Sequence, residues 1–439
     1  MKMINRALMG ACAVGAFAAV AAHAETITVA TVNNGDMIRM QGLMGEFNKA
    51  HPDIDVEWVT LEENVLRQRV TTDIATGGGQ YDVLTIGNYE VPIWAKQDWL
   101  VPLEGMPEGY DADDILPALQ KALSLDGKLY AAPFYAESAM IMYRTDLMEK
   151  AGLTMPEAPT WAFIKEAAEK MTDKAGEVYG ICLRGKAGWG ENMAFITAMA
   201  NSNGARWFDT DWKPQFDSPE WKTTLDTYLE LMTNYGPPGA SSNGFNENLA
   251  LFQTGKCGMW MDATVAASFV TNPKDSQVAD KVGFAKFPVR EGGENHGNWL
   301  WSWNLAIPSG SKKQDAAKTF VAWATSKEYT ALVAKEEGIA NVPPGTRTSL
   351  YENQDYLSAA PFAQMTIDSI EAVNTDKPSD QEIPYTGAQF VSIPEFQSIG
   401  TAVGQQFSAA LAGTVSGDQA LQSAQALTTR EMTRAGYIK

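Results

Sequence analysis

Histidine and cysteine are scarce in this chain, with three of each in 439 residues. His23, His51 and His296 stand far apart, as do Cys12, Cys182 and Cys257, so no cluster at metal-ligand spacing exists and neither a metal site nor a metal cofactor is expected. Positive charge is also in short supply. Lys and Arg number 34 against 53 Asp and Glu, a net charge of −19 that repels nucleic acid and anionic lipid. Long apolar runs are confined to the N-terminus, and nothing beyond it approaches the ~18 uninterrupted apolar residues of a membrane span. Catalytic signatures are missing too: there is no Gly-x-Ser-x-Gly and no His-Glu-x-x-His. The one glycine run, Gly77-Gly78-Gly79, closes a helical pattern instead of opening one and is not followed by Gly-Lys-Ser/Thr, which excludes a phosphate loop.

What is present begins with residues 1–24. Lys2 and Arg6 precede an Ala/Val/Gly/Phe run that ends in Ala22-His23-Ala24, the pattern of a secretory signal cleaved before Glu25. Loss of those two bases, with no acid among them, takes the net charge from −19 to −21. The apolar stretch ahead of Cys12 is too short for a lipoprotein signal, so a soluble exported product is expected. The remaining length suits two domains at roughly 100–200 residues each. Cys182 and Cys257 sit in apolar strand-like runs, where cysteine reads first as a small buried hydrophobe, although an exported chain meets oxidising conditions that permit a disulfide.

Residues 26–58 carry a strand, helix, strand unit. Ile27, Val29 and Val32 form a β-branched run that breaks at Asn33-Asn34-Gly35. Met37, Met40, Met44 and Phe47 then recur at helical spacing until Pro52, and Ile54, Val56 and Trp58 restart a period of two. So short a crossover returns its second strand parallel to the first, placing Asn34 and Asp36 at the carboxyl edge, where open parallel sheets bind ligands. Asp36 has two readings there, a helix cap or a ligand group. A second helix opens at Glu62-Glu63-Asn64 with Leu66, Val70 and Ile74 on one face, and a third strand, residues 81–86, ends at Asn88 and Tyr89. Three strands thus aim Asn34/Asp36, Glu62/Glu63 and Asn88/Tyr89 at one edge.

After an Asp126-Gly127 turn, the chain runs extended through Glu137 into residues 140–143, as a connection between two sheets would. A carboxylate in that apolar run needs a donor, either an Arg or a ligand hydroxyl. Farther on, residues 178–183 form a strand ending at Arg184, and Gly188-Trp189-Gly190-Glu191-Asn192 opens a helix toward the same edge. A strand from Cys257 ends at Asp262, which either caps the next helix or faces a ligand. Trp299, Trp301 and Trp303 alternate and share one strand face, as a core wall or a stacking platform for a sugar. Arg347, in the Val342-Pro343-Pro344-Gly345 loop, is placed within reach of the cleft.

The order of these pieces resembles a family. The Asn-Asn-Gly-Asp turn with its helix, FNKAHPDIDVEW, TTDIATGGGQYDV, DGKLYAAPFYAESAMIMYRTDL, FQTGKCGMWMDAT and WNLAIPSGSKK together look like the family 1 extracellular solute-binding proteins of ABC sugar importers, the maltose-binding-protein-like group. ENVLRQRVTTDIATGGGQYDV and RGKAGWGENMAF are most similar to its sorbitol/mannitol-binding subgroup. The resemblance implies an α/β, periplasmic-binding-protein-like type II fold: two α/β lobes around a ligand cleft, joined by a three-segment hinge. The first lobe would comprise residues 25–136 plus 303–360, the second 137–302 plus 361–439. It further implies a periplasmic monomer without catalytic residues that binds a small polyol or sugar and meets an inner-membrane ABC permease. An exported glycoside hydrolase or lyase is the alternative, since abundant carboxylates leave an acid pair open. A carrier of anions or ferric iron fits poorly, because the candidate set of Asp36, Glu62, Glu63, Glu137, Glu191 and Asp262 opposes anions and suits hydroxyl donors.

Overall fold

The computed structural model describes residues 24–438, so the expected export signal, apart from Ala24, lies outside the described residues. Eleven strands alternate with helices: β1 (Glu25–Val32), β2 (Ile54–Leu61), β3 (Val83–Gly87), β4 (Ser124–Leu125), β5 (Lys128–Leu129), β6 (Ala131–Glu137), β7 (Ala139–Arg144), β8 (Tyr179–Cys182), β9 (Cys257–Ala263), β10 (Val282–Lys286) and β11 (Trp301–Ala306). They form a five-stranded sheet in the order β2-β1-β3-β11-β6, a four-stranded sheet in the order β10-β7-β9-β8, and the β4-β5 hairpin. In that hairpin Asp126 and Gly127 both have positive φ, the conformation a tight two-residue turn requires.

β1 and β2 are parallel in register from Glu25 opposite Ile54 to Val32 opposite Leu61. The segment between them is two helices, Gly35–Gly42 and Met44–Ala50, and not the single helix its spacing predicts. Gly42 and Gly45 flank the break at Leu43, and glycine is among the weakest helix formers. The stripe survives the interruption, for Met37, Met40, Met44 and Phe47 are all buried. Asn34, not Asp36, is the cap: its Oδ1 accepts from the Met37 N–H at 3.0 Å. The next helix, Glu63–Ala75, buries Leu66, Val70 and Ile74 as its spacing predicts.

β6 ends on Glu137 in the first sheet and β7 starts at Ala139 in the second, so Ser138 alone carries the chain across. β11 returns to the first sheet between β3 and β6, antiparallel to both, with Trp301 opposite Glu137. Asn88 fixes the approach to β11 by donating to the Leu300 carbonyl at 3.2 Å and accepting from the Ser302 N–H at 3.1 Å. Gln389 brackets the same residue, donating to the Leu300 carbonyl at 2.8 Å. Near the C-terminus, Phe396, Ile399, Val403 and Phe407 form the buried face of the helix Phe396–Leu411.

Cys182 and Cys257 are bonded to each other across β8 and β9, both fully buried, which corrects the reading of them as free hydrophobes. The sequence separation of 75 makes the crosslink a large restriction on the unfolded chain. Replacing both cysteines by serine is expected to lower unfolding stability by about 4 kcal/mol, the loop-entropy value for a closure of this length. Urea denaturation of parent and variant, with and without a reductant, checks this; an unchanged midpoint would show that the bond contributes nothing.

Candidate functional site

Between the two sheets lies a narrow cavity of about 70 Å³, within a cleft whose empty space, open solvent included, is about 770 Å³. One wall is built from helix starts that follow β1 and β2: Asn34, Glu62, Glu63 and Arg67. Tyr135 and Glu137 come from β6, Trp299, Trp301 and Trp303 from β11 and its approach. The opposite wall is Arg184, Lys186, Trp189 and Glu191, on the segment after β8, with Phe245, Asn246 and Glu247 at the start of the helix Phe245–Gln253. Gln389 and Phe390 complete the lining.

Each cation makes its shortest contact with one acid and a longer one with another. Arg184 grips Asp262 with two bonds, Nε to Oδ2 at 2.9 Å and Nη2 to Oδ1 at 2.7 Å, while its Nη1 donates to the Gly190 carbonyl at 3.0 Å. Arg67 donates to Glu63 Oε1 from Nη2 at 2.8 Å and from Nε at 3.2 Å. Its guanidinium carbon sits 4.2 Å from the ring centroid of Trp189, 4.5 Å from that of Trp301 and 4.7 Å from that of Trp303. Lys186 pairs with Glu62 across the cleft. Trp301 reaches this position because residue 87 is glycine: a Cβ there would lie 1.9 Å from its ring.

Two carboxyls are left without a dedicated cation. Glu137 has neither a hydrogen bond nor an ion pair to another described residue, and burial pushes it well above the ordinary carboxylate range against the pull of Arg184. Glu191 is pushed up to about 8 by burial and the charge of Glu63, with Arg184 at 3.5 Å and Lys186 at 3.7 Å opposing. Its Oε2, Arg67 Nη1 and Trp299 Nε1 are buried without a hydrogen bond, although Oε2 lies 3.5 Å from Arg184 Nη1 and Arg67 Nη1 lies 3.5 Å from Glu90. Tyr135 accepts from Asn34 Nδ2 at 2.8 Å, which leaves its phenolic proton free to donate. The cavity therefore offers unspent donors and acceptors side by side, a pattern that matches hydroxyls, each of which is both.

Ten of the residues singled out from sequence line this cavity: Asn34, Glu62, Glu63, Glu137, Arg184, Trp189, Glu191, Trp299, Trp301 and Trp303. Five do not. Asp36 turns onto Arg39 at 2.6 Å, one turn inside its helix. Asn88 is spent on Leu300 and Ser302, and Tyr89 donates to the Ile393 carbonyl at 2.6 Å while its ring packs behind Trp189. Asp262 neither caps the next helix, whose first flanking residue is Val265, nor meets the cavity; Arg184, the Trp260 Nε1 and the Ala263 N–H occupy both its oxygens. Arg347 is buried against the carbonyls of Tyr110, Asp111 and Thr325. Among the residues missed, two had a readable signal. Tyr135 shares the strand face of Glu137 by alternation, and Arg67 stands four residues after Glu63 on one helix. Lys186, Phe245, Asn246, Gln389 and Phe390 had none.

The family model described as bacterial extracellular solute-binding protein matches residues 34–331. A mannitol-binding protein of Pseudomonas aeruginosa is 57% identical over 436 residues, 99% of either chain. A solved ABC-transporter solute-binding protein from Agrobacterium vitis S4, with bound D-mannitol, is 70% identical with a TM-score of 0.93, covering 95% of this chain and 100% of that one. Another from Agrobacterium radiobacter K84, in complex with ribitol, is 25% identical with a TM-score of 0.81, covering 93% of this chain and 99% of that one.

Two outcomes follow from the site's electrostatics. Asp262→Ala is expected to cost about 3–5 kcal/mol of stability, because it strands the Arg184 charge in a buried position; a melting curve within a degree of the parent would show the pair to be dispensable. Glu90, which accepts from the Gly87 N–H at 3.0 Å, is pushed up to about 7 by burial in spite of Arg67. As pH rises from about 4.5 to about 7, the unfolded chain releases this proton while the folded one keeps it, so folding stability falls through that window and the full cost stands above it. Stability measured from pH 5 to pH 8 should therefore move in favour of Glu90→Gln over the parent, by up to about 3 kcal/mol; parallel profiles would contradict this.

Proposed function

The chain belongs to the bacterial extracellular solute-binding proteins, and from that premise we propose that it is the periplasmic, polyol-binding component of an ABC importer, capturing mannitol or a closely related hexitol. The observation that carries the ligand assignment is the set of polar groups on the cavity wall that lack a hydrogen bond, Arg67 Nη1, Trp299 Nε1 and Glu191 Oε2, beside the buried Glu137 side chain. A neutral hexitol brings hydroxyls that both give and take, and its carbon-bound hydrogens suit the indole faces of Trp189 and Trp301. Two of these relatives support the same ligand class, one named for mannitol and one solved with it.

The capture mechanism we infer is closure of two lobes, residues 25–136 with 303–360 and residues 137–302 with 361–439. Contacts across the cleft describe the closed arrangement: Asn64 Nδ2 donates to the Ala187 carbonyl at 3.2 Å and Asn246 Nδ2 to the Asn33 carbonyl at 2.9 Å. Arg67 stacks on Trp189, and Phe269 packs so closely on Gly35 that a Cβ there would lie 2.3 Å from its ring. These contacts exist only when both walls meet, so a ligand that touches both shifts the population toward closure. Delivery to a membrane permease and cleavage of the export signal after Ala24 belong to this reading, and the cleft is read as a binding site without catalytic residues.

Calorimetric titration of the ligand-free protein with D-mannitol, D-sorbitol, ribitol and maltose tests the assignment. Saturable binding of the hexitols at micromolar concentration, unaffected by a chelator, is expected; a response to maltose alone or to a metal alone would overturn it. Trp299→Phe, which removes one donor and keeps the ring, should weaken mannitol by about 0.5–1.5 kcal/mol. Gly35→Ala is expected to hold the lobes apart and weaken the hexitol more than it lowers the melting temperature.

A further inference from the structure

We propose that the same cavity also takes aminoalditols, hexitols carrying an ammonium in place of one hydroxyl, with the ammonium seated against the Glu137 carboxylate. The inference rests on the hexitol reading and narrows which neighbours of that ligand class are admitted.

The argument is one of charge pairing inside a closed space. Three cations line the cavity, and each is spoken for: Arg184 by Asp262 at 2.7 Å, Arg67 by Glu63 at 2.8 Å, and Lys186 by Glu62. Glu247 is also occupied, accepting from the Gly244 N–H at 2.9 Å. Glu137 and Glu191 remain: the Glu137 carboxyl, in a residue 5% exposed, has no hydrogen bond or ion pair to a side chain among the described residues, and Glu191 Oε2 is buried without a hydrogen bond, 3.5 Å from Arg184 Nη1. A desolvated carboxylate without a donor is unstable unless a proton or another cation joins it. The charges facing Glu137 add up in that direction: Asp262 from β9 and Glu63 and Asp36 from the helices after β2 and β1, against Arg184 alone. Burial and these neighbours push the Glu137 carboxyl well above the ordinary carboxylate range, in the direction of its protonated form. An ammonium on the ligand replaces that proton, charge for charge, and donates three hydrogen bonds where a hydroxyl donates one. An alditol acid has the opposite fate, since its carboxylate adds a further negative charge to the same cluster.

Neutral and cationic ligands should therefore respond to pH in opposite ways. Closing on a hexitol requires a proton on Glu137, which becomes harder to supply as pH rises. Closing on an aminoalditol requires none while the amine stays protonated. The experiment is calorimetric titration of the ligand-free protein with D-mannitol, 1-amino-1-deoxy-D-mannitol, D-sorbitol, D-glucamine and D-gluconate at about pH 6 and about pH 8, in buffers of differing ionisation enthalpy. Expected are binding of an amine at both pH values, an amine-to-hexitol affinity ratio that rises about tenfold or more toward pH 8, and no binding of gluconate. Glu137→Gln should lower that ratio by about tenfold, with Glu191→Gln as the comparison in which it changes less; melting curves establish that each variant is folded. Mannitol bound and both amines refused at both pH values would overturn the proposal while leaving the hexitol reading intact. Equal weakening of hexitol and amine by Glu137→Gln would overturn it as well. Amine bound without mannitol would uphold it and overturn the hexitol reading, and binding of neither would remove both.

Discussion

A guanidinium enclosed by indoles sets the geometry of the cleft. Arg67 projects from the helix after β2 and is almost fully buried, with Trp301 and Trp303 of β11 around it and Trp189 reaching it from the other side. An arginine tolerates this burial because its planar, weakly hydrated cation can stack on aromatic faces and still give its N–H groups to Glu63. A lysine would lose the stack, and an apolar residue would leave Glu63 and Glu90 facing each other without a counter-charge. The same contact ties the position of β11 to that of the segment after β8, so the aromatic floor of the cavity exists in its final form only when the two walls are together.

Charge then sorts the acids into two kinds. Those with a guanidinium or ammonium of their own, Asp262, Glu63 and Glu62, serve as architecture; Glu137 and Glu191, with no such partner, are free to meet a ligand. The distinction is one of desolvation. Burying a charge is tolerable when paired and costly when not, and at a binding site the unpaired cost is relieved by the ligand itself. This is how a strongly acidic surface can enclose a site for an uncharged molecule.

Much of the fold could be read from periodicity. The Met37, Met40, Met44 and Phe47 stripe, the Leu66, Val70, Ile74 face and the extended apolar run through β6 into β7 all report burial, and burial follows side-chain pattern closely. The site was legible only in part, because a polar residue at a strand end has two destinations and spacing does not choose between them. Asn88 and Arg347 satisfy backbone carbonyls and Asp262 satisfies an arginine, whereas among the described residues the Glu137 carboxyl has no hydrogen bond or ion pair and Glu191 has only longer contacts to Arg184 and Lys186. The choice is made by partners distant in sequence: Arg184 lies 78 residues before Asp262, and Asn88 lies 212 residues before Leu300. The disulfide is the same kind of case, since two cysteines in apolar strands become a bond only through the placement of β8 beside β9.

Asp262, with Arg184, Trp260 and the Ala263 N–H all bound to its carboxylate, makes the second-sheet wall a fixed die. On the opposite wall Glu62 and Asn64 stand at a helix start, partly exposed and tied mostly to residues across the cleft. The two walls are therefore unequally open to change. Retargeting such a receptor toward a new cargo, in evolution or in the construction of a reagentless sensor, has room at the helix starts, where substitutions trade one cross-cleft contact for another. At the Arg184–Asp262 wall the same substitutions would dismantle the scaffold before a new preference could be read.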